Sequence, residues 1–122
     1  PFTCALTAAL AGKPILMEEF GGPTAQPGEP SHIMKWTATN GRKHEQFVAS
    51  EEEFAEFFQL TFPKLQESGA TGAMLWCYAD YVPELWDVPP CLNYHHERFF
   101  GLVRGDGSLK PHAQVVREFA AT

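Results

Sequence analysis

The stretch Lys13-Pro14-Ile15-Leu16-Met17-Glu18-Glu19-Phe20-Gly21 governs how the rest of the chain is read. Its centre, Ile15-Leu16-Met17, is a continuous apolar run bounded by Pro14 on one side and Gly21-Gly22-Pro23 on the other. A run of this kind suits a strand buried on both faces, as in a parallel sheet. It closes on Glu18 and Glu19, and a carboxylate at the end of a buried strand is costly unless hydrogen-bonded or functional. Alternation along a strand sends the two acids to opposite sides, one inward and one outward. Two solvated acids capping a strand are the plainer reading of the same pair.

Upstream, Phe2, Leu6, Ala9 and Leu10 fall at helical spacing among alanines, and Gly12 and Pro14 stop that helix. Downstream, residues 22–49 shift to proline, glycine, threonine and lysine around Met34 and Trp36, and read as a long structureless loop. Loops of that length are usually lids or binding walls. Ser50-Glu51-Glu52-Glu53 is a capping box with acids at the positive end of a helix. Phe54, Phe57, Phe58, Phe62 and Leu65 follow on one stripe as packing residues, with a kink expected at Pro63 and a C-cap at Gly69.

Residues 72–78 read as a second buried strand, leading to Asp80 and Tyr81. The next loop carries Trp86, Tyr94, His95 and His96. After a short extended run at 99–103 and a Gly105-Asp106-Gly107 turn, a last helix is expected. Ser108 would cap it, Pro111 would open it, and Val115, Val116 and Phe119 would be buried. The order is α-β-α-β-α, with short turns into the strands and long segments leaving them. Chemistry in α/β barrels and open parallel sheets sits at the C-terminal strand ends. That places a site near Glu18, Glu19, Trp76 and Asp80. Trp76 fits either core packing or a stacking platform for a sugar ring. Trp36, Tyr78, Tyr81, Trp86 and Tyr94 fit carbohydrate binding.

The 122 residues, 44% hydrophobic and 13% aromatic, are the scale of one folded domain. Fifteen acids against nine bases, a net charge of -6, argue against a nucleic-acid partner. No apolar run reaches the ~18 residues of a membrane span. Cys77 and Cys91 could bridge with Cys4 left over, or all three could be free thiols. Five histidines include no H-E-x-x-H pattern, so neither a metal nor another cofactor is expected.

Residues 13–21 resemble the seventh-strand motif of retaining glycoside hydrolases of family 5, the cellulase and mannanase group. The resemblance implies that Glu19, directly before Phe20-Gly21, is the nucleophile. Residues 72–81 resemble the eighth-strand segment, which implies that Trp76 lies under the sugar at the cleavage point. Trp36 and Trp86 would then wall the cleft and Asp80 would belong to the same site. Residues 97–103, with 106–108 and 110–111, are similar to the segment feeding the last helix of such a barrel.

The implied fold is a partial (β/α)8 TIM barrel, with residues 1–122 as its C-terminal portion and roughly its last two β/α units. A complete barrel takes ~250 residues. Two parallel strands cannot close one, so self-association into a homo-oligomer is expected to cover their edges. Retaining hydrolysis also needs a second carboxyl group as acid/base. In this family that glutamate follows an asparagine, and no Asn-Glu dipeptide occurs here. The expectation is therefore part of a retaining β-glycosidase of glucanase or mannanase type, acting on β-linked glycans and inactive as an isolated chain. The alternative is a non-catalytic carbohydrate-binding or orphan barrel remnant.

Overall fold

The computed structural model describes residues 1–121 as a mixed α/β arrangement without a closed barrel. Helix α1 (Phe2–Ala11) turns through Gly12, in the left-handed region at φ 60°, into strand β1 (Ile15–Phe20). Strands β2 (His32–Thr37) and β3 (Lys43–Val48) follow, then helix α2 (Glu51–Glu67) and strand β4 (Ala70–Leu75). Helix α3 (Pro111–Ala120) comes last. β1 and β4 pair in parallel, with α2 in the crossover between them.

The long segment after β1 departs from the expected structureless loop. β2 and β3 form an antiparallel hairpin in full register from His32↔Val48 to Thr37↔Lys43. Its turn is closed by Ala38 N–H donating to Arg42 O at 2.8 Å, with Gly41 at φ 79°. Asn40-Gly41 supplies the conformational freedom such a turn needs.

Helices cover only one face of the parallel pair. Phe20 is buried against α2, its ring 5.2 Å from Phe58 and 5.7 Å from Phe62. Phe54, Phe58, Phe62 and Leu65 complete that layer with Val115 of α3, while Ile15, Met17, Ala73 and Leu75 pack against it. The opposite face is bare: Leu16 is 54% exposed and Met74 57%. Strands buried on both faces were expected; here one face has no cover among the described residues. The α1 stripe is likewise outward, with Phe2, Leu6 and Leu10 exposed and Cys4 the residue that enters the core.

At the start of α2, Ser50 Oγ accepts from Glu53 N–H at 3.1 Å, as the capping box requires. The reciprocal half is shared with a third residue. Ser31 Oγ accepts from Ser50 N–H at 2.7 Å and donates to the Glu53 carboxylate. The helix runs on through Pro63 to Glu67, and Gly69 follows the Ser68 cap at φ 84°. The last helix differs from expectation at its start. Lys110 is the N-cap residue without a side-chain bond, and Ser108 instead bonds Asp106 within the preceding turn.

Candidate functional site at the strand ends

Both long segments leave the C-terminal ends of β1 and β4, and the site is built there. The register advances three residues on β1, Met17 to Phe20, against two on β4, Ala73 to Leu75. This is a β-bulge, which adds a residue and re-aims side chains. Met17 and Phe20 both pack towards the helices, and both Glu18 and Glu19 are exposed. Simple alternation sends the two acids to opposite faces; the bulge overrides it. Neither carboxylate is engaged by another described residue.

Trp76 lies one residue beyond β4, and its N–H donates to Phe20 O at 3.0 Å. That bond sets Trp76 beside the end of β1, with its side chain 47% exposed. Gly21 permits the approach, since a Cβ there would collide with the Trp76 carbonyl oxygen. The Trp76–Cys77 peptide is cis. The structure thus sets Trp76 at the strand end that carries Glu18 and Glu19, with Tyr78 exposed further along the same segment.

Asp80 sits deeper. Its Oδ1 accepts from Lys110 Nζ at 2.8 Å and from Gly101 N–H at 2.7 Å. The Lys110 ammonium, 2% exposed as a residue, also donates to Thr24 Oγ1 at 2.9 Å and Phe99 O at 3.0 Å. Three acceptors match its three donors, the condition under which a buried ammonium is tolerated. Burial pushes the Asp80 carboxyl up and the Lys110 ammonium down, and their mutual contact opposes both shifts. The cluster ties the segment after β1, through Thr24, to the segment after β4.

A second such pair joins the start of α2 to the last loop. Glu51, 3% exposed, takes Arg104 Nε on Oε1 at 2.8 Å and Nη2 on Oε2. Sequence reasoning gave Glu51 only a place in the capping box and assigned no partner to Lys110 or Arg104, because charges in a sequence read as solvated.

The other tryptophans are held by main-chain bonds. Trp86 Nε1 donates to Tyr81 O at 2.9 Å, and Arg98 lies 4.8 Å above its ring. Trp86 and Tyr81 line a cavity of about 470 Å³ with Pro27, Phe99 and Asp106. Trp36, only 8% exposed, faces inward from the hairpin and donates from Nε1 to Asn93 O at 2.7 Å. His44 and His95 stack with its ring at 5.3 and 5.7 Å.

Cys4, Cys77 and Cys91 are free, and burial pushes the Cys77 and Cys91 thiols up. Among the described residues no group of three or more His, Cys, Asp or Glu side chains could hold a metal, and no helix is long and apolar enough to cross a membrane.

No protein-family model matches the chain, and no curated protein is similar enough to count as a match. Solved structures similar over 98% of its length include two glycoside hydrolases. One is a GH5_18 from Streptomyces cattleya in complex with GlcNAc, at 22% identity and a TM-score of 0.60. The other is a GH5_18 from Bifidobacterium longum subsp. infantis, at 22% identity and a TM-score of 0.64. The fold is that of part of a GH5 chain. This chain spans about a quarter of those structures, covering 24% of the first and 23% of the second. The bare face of the β1–β4 pair is consistent with that share, because a whole barrel covers the inner face of every strand.

Proposed function

We propose that this chain is the part of a retaining β-glycosidase that carries the nucleophile, and that Glu19 is that nucleophile. The observation that supports the reading is the bulge at the end of β1, which leaves Glu19 exposed and unpaired beside an exposed Trp76. In the reaction Glu19 attacks the anomeric carbon while the leaving oxygen takes a proton from a second carboxylic acid. The glycosyl-enzyme intermediate then falls to water activated by that same second group. Retaining geometry needs the two carboxyl groups about 5–5.5 Å apart. The partner is assigned to residues outside this sequence, since no Asn-Glu pair exists within it.

Trp76 offers its exposed ring to the sugar's C–H face, and Trp86 with Tyr81 extends the aromatic lining. Asp80 acts indirectly in this reading. Its carboxylate is taken up by Lys110 and Gly101, so it positions the segment after β4. Trp36 has a similar supporting place, because it is buried and its indole N–H is taken up by Asn93 O. The substrate class is a β-linked glycan, and the GlcNAc bound to the Streptomyces cattleya protein favours amino sugars among the first to be tried.

The test is hydrolysis of aryl β-glycosides by this chain alone and by this chain co-expressed with the preceding portion of a GH5_18 barrel. The isolated chain should be inert, the combination active, and Glu19→Gln in the combination inactive. Activity that survives Glu19→Gln would remove Glu19 from the role.

A further inference from the structure

The hairpin is fastened to the segment after β4 through one indole. Trp36 Nε1 donates to Asn93 O at 2.7 Å, and Thr39 adds bonds from N and Oγ1 to Asn93 Oδ1 at 3.0 and 2.7 Å. Around the indole stand three imidazoles. His44, its cross-strand partner, stacks at 5.3 Å; His95 stacks at 5.7 Å; His96 is tilted at 5.2 Å. Tyr94 closes the edge of His44 at 5.8 Å.

His96 fixes the charge state this arrangement accepts. Its Nδ1 is buried with no hydrogen-bond partner. A proton added there creates a buried N–H without an acceptor, and it places a cation beside two more imidazoles. The charged and titratable groups around the cluster leave little compensation. From the hairpin come His32, Lys35 and His44, and from the following loop Tyr94 and Arg98. Beside Trp36 and His44 the hairpin also carries Lys43 and Glu45, the latter paired with Lys35 at 3.6 Å, and two further acids face the imidazoles of the loop. Glu97 Oε1 lies 3.6 Å from His96 Nε2, beyond hydrogen-bond range, and Glu29 shares a cavity with His95 while its own carboxylate accepts from Gln26 N–H.

We infer that Trp36 and the imidazoles of His44, His95 and His96 form a latch that holds the β2–β3 hairpin against the segment after β4, and that acidification opens it. This inference does not depend on the role of Glu19. Burial lowers the titration of both His95 and His96 below the ordinary 6.5, aided at His95 by Arg98 and opposed at His96 by Glu97. The sign follows directly. The released hairpin binds more protons than the docked one below pH 6.5, so docking is fullest above that value and is lost as pH falls. In a protein whose hairpin rises beside the strand ends, such a latch would make the wall of the site pH-dependent.

Fluorine NMR of the full chain labelled with fluorotryptophan reads the latch, with Trp36 assigned by Trp36→Phe. Between about pH 7.5 and about pH 4.5 the Trp36 signal should move to a solvent-exposed position, before helical circular dichroism is lost. In His95→Gln/His96→Gln that movement should vanish. A stationary Trp36 signal would overturn the inference, as would a movement that only accompanies global unfolding or persists in the double variant. Should that variant fail to fold, the imidazole titrations of the unaltered chain decide. Midpoints of His95 and His96 below 6.5 support the latch, and midpoints at or above it exclude the latch.

Discussion

His112 shows how a residue far from any strand-end chemistry can set the pH range of the whole chain. It is 1% exposed and packs edge-on against the rings of Phe54 and Phe58, with Nε2 3.1 Å from Gly101 O and Nδ1 unpartnered. Burial, and then repulsion from Lys110, lower its pKa from 6.5 to about 4. The unfolded chain therefore binds a proton that the folded chain refuses between these values, so stability falls as pH drops from 6.5 towards 4. That shift amounts to roughly 3 kcal/mol at the acid end. Urea titrations across this range should show the loss, and His112→Asn should reduce it. An unaltered slope in that variant would contradict the assignment. None of this was legible in the sequence. His112 and Lys110 look like surface residues beside Pro111, and only the tertiary fold supplies Gly101 O, Asp80 and Thr24 as their partners.

Elements were legible in proportion to how strongly their side chains declared a period. α2 was plain, with a capping box before a stripe of phenylalanines. Its cap is a direct test: Ser50→Ala removes the acceptor for Glu53 N–H and leaves the Ser31 bridge, which uses the Ser50 main-chain N–H, in place. A loss of about 1 kcal/mol in chemical denaturation is expected. No measurable change would mean that Ser31 alone suffices. The hairpin was hidden because its inward side chains include His32, His44 and Gln46 alongside Met34, Trp36 and Val48. A polar inner face masks the apolar alternation by which strands are recognised. The bulge was hidden for a different reason. It is a property of the β1–β4 pairing, with two register shifts, and a single strand's sequence does not contain its partner's register. The capping of α3 was misplaced because Ser108 is used in its own turn with Asp106.

At the scale of the molecule, the decisive feature is an absence of cover. Leu16, Met74, Trp76 and Tyr78 are exposed at the bare face of the β1–β4 pair and its extension, and Phe2, Leu6 and Leu10 are exposed along α1. Large apolar side chains exposed in such rows are rarely left to water. The isolated chain should therefore associate, and sedimentation at micromolar concentration should show species heavier than the 13.6 kDa monomer. A clean monomer would mean that these faces tolerate solvent. Apart from the hairpin, the order of elements was readable because short turns enter the strands and long segments leave them, and the same asymmetry is why a site is expected at the C-terminal strand ends. The same reading placed Trp36 and Asp80 in contact with sugar; in the fold Trp36 donates to Asn93 O, and Asp80 accepts from Lys110 and Gly101.

The central claim is that Glu19 becomes the nucleophile once the barrel is completed by residues beyond this sequence. It is tested most directly by treating the chain, combined with the preceding portion of a GH5_18 barrel, with a fluorosugar inactivator that traps the glycosyl-enzyme. Mass spectrometry of the digest should find the sugar esterified to Glu19. A label on Glu18 or elsewhere, or no label from an active combination, would contradict the account.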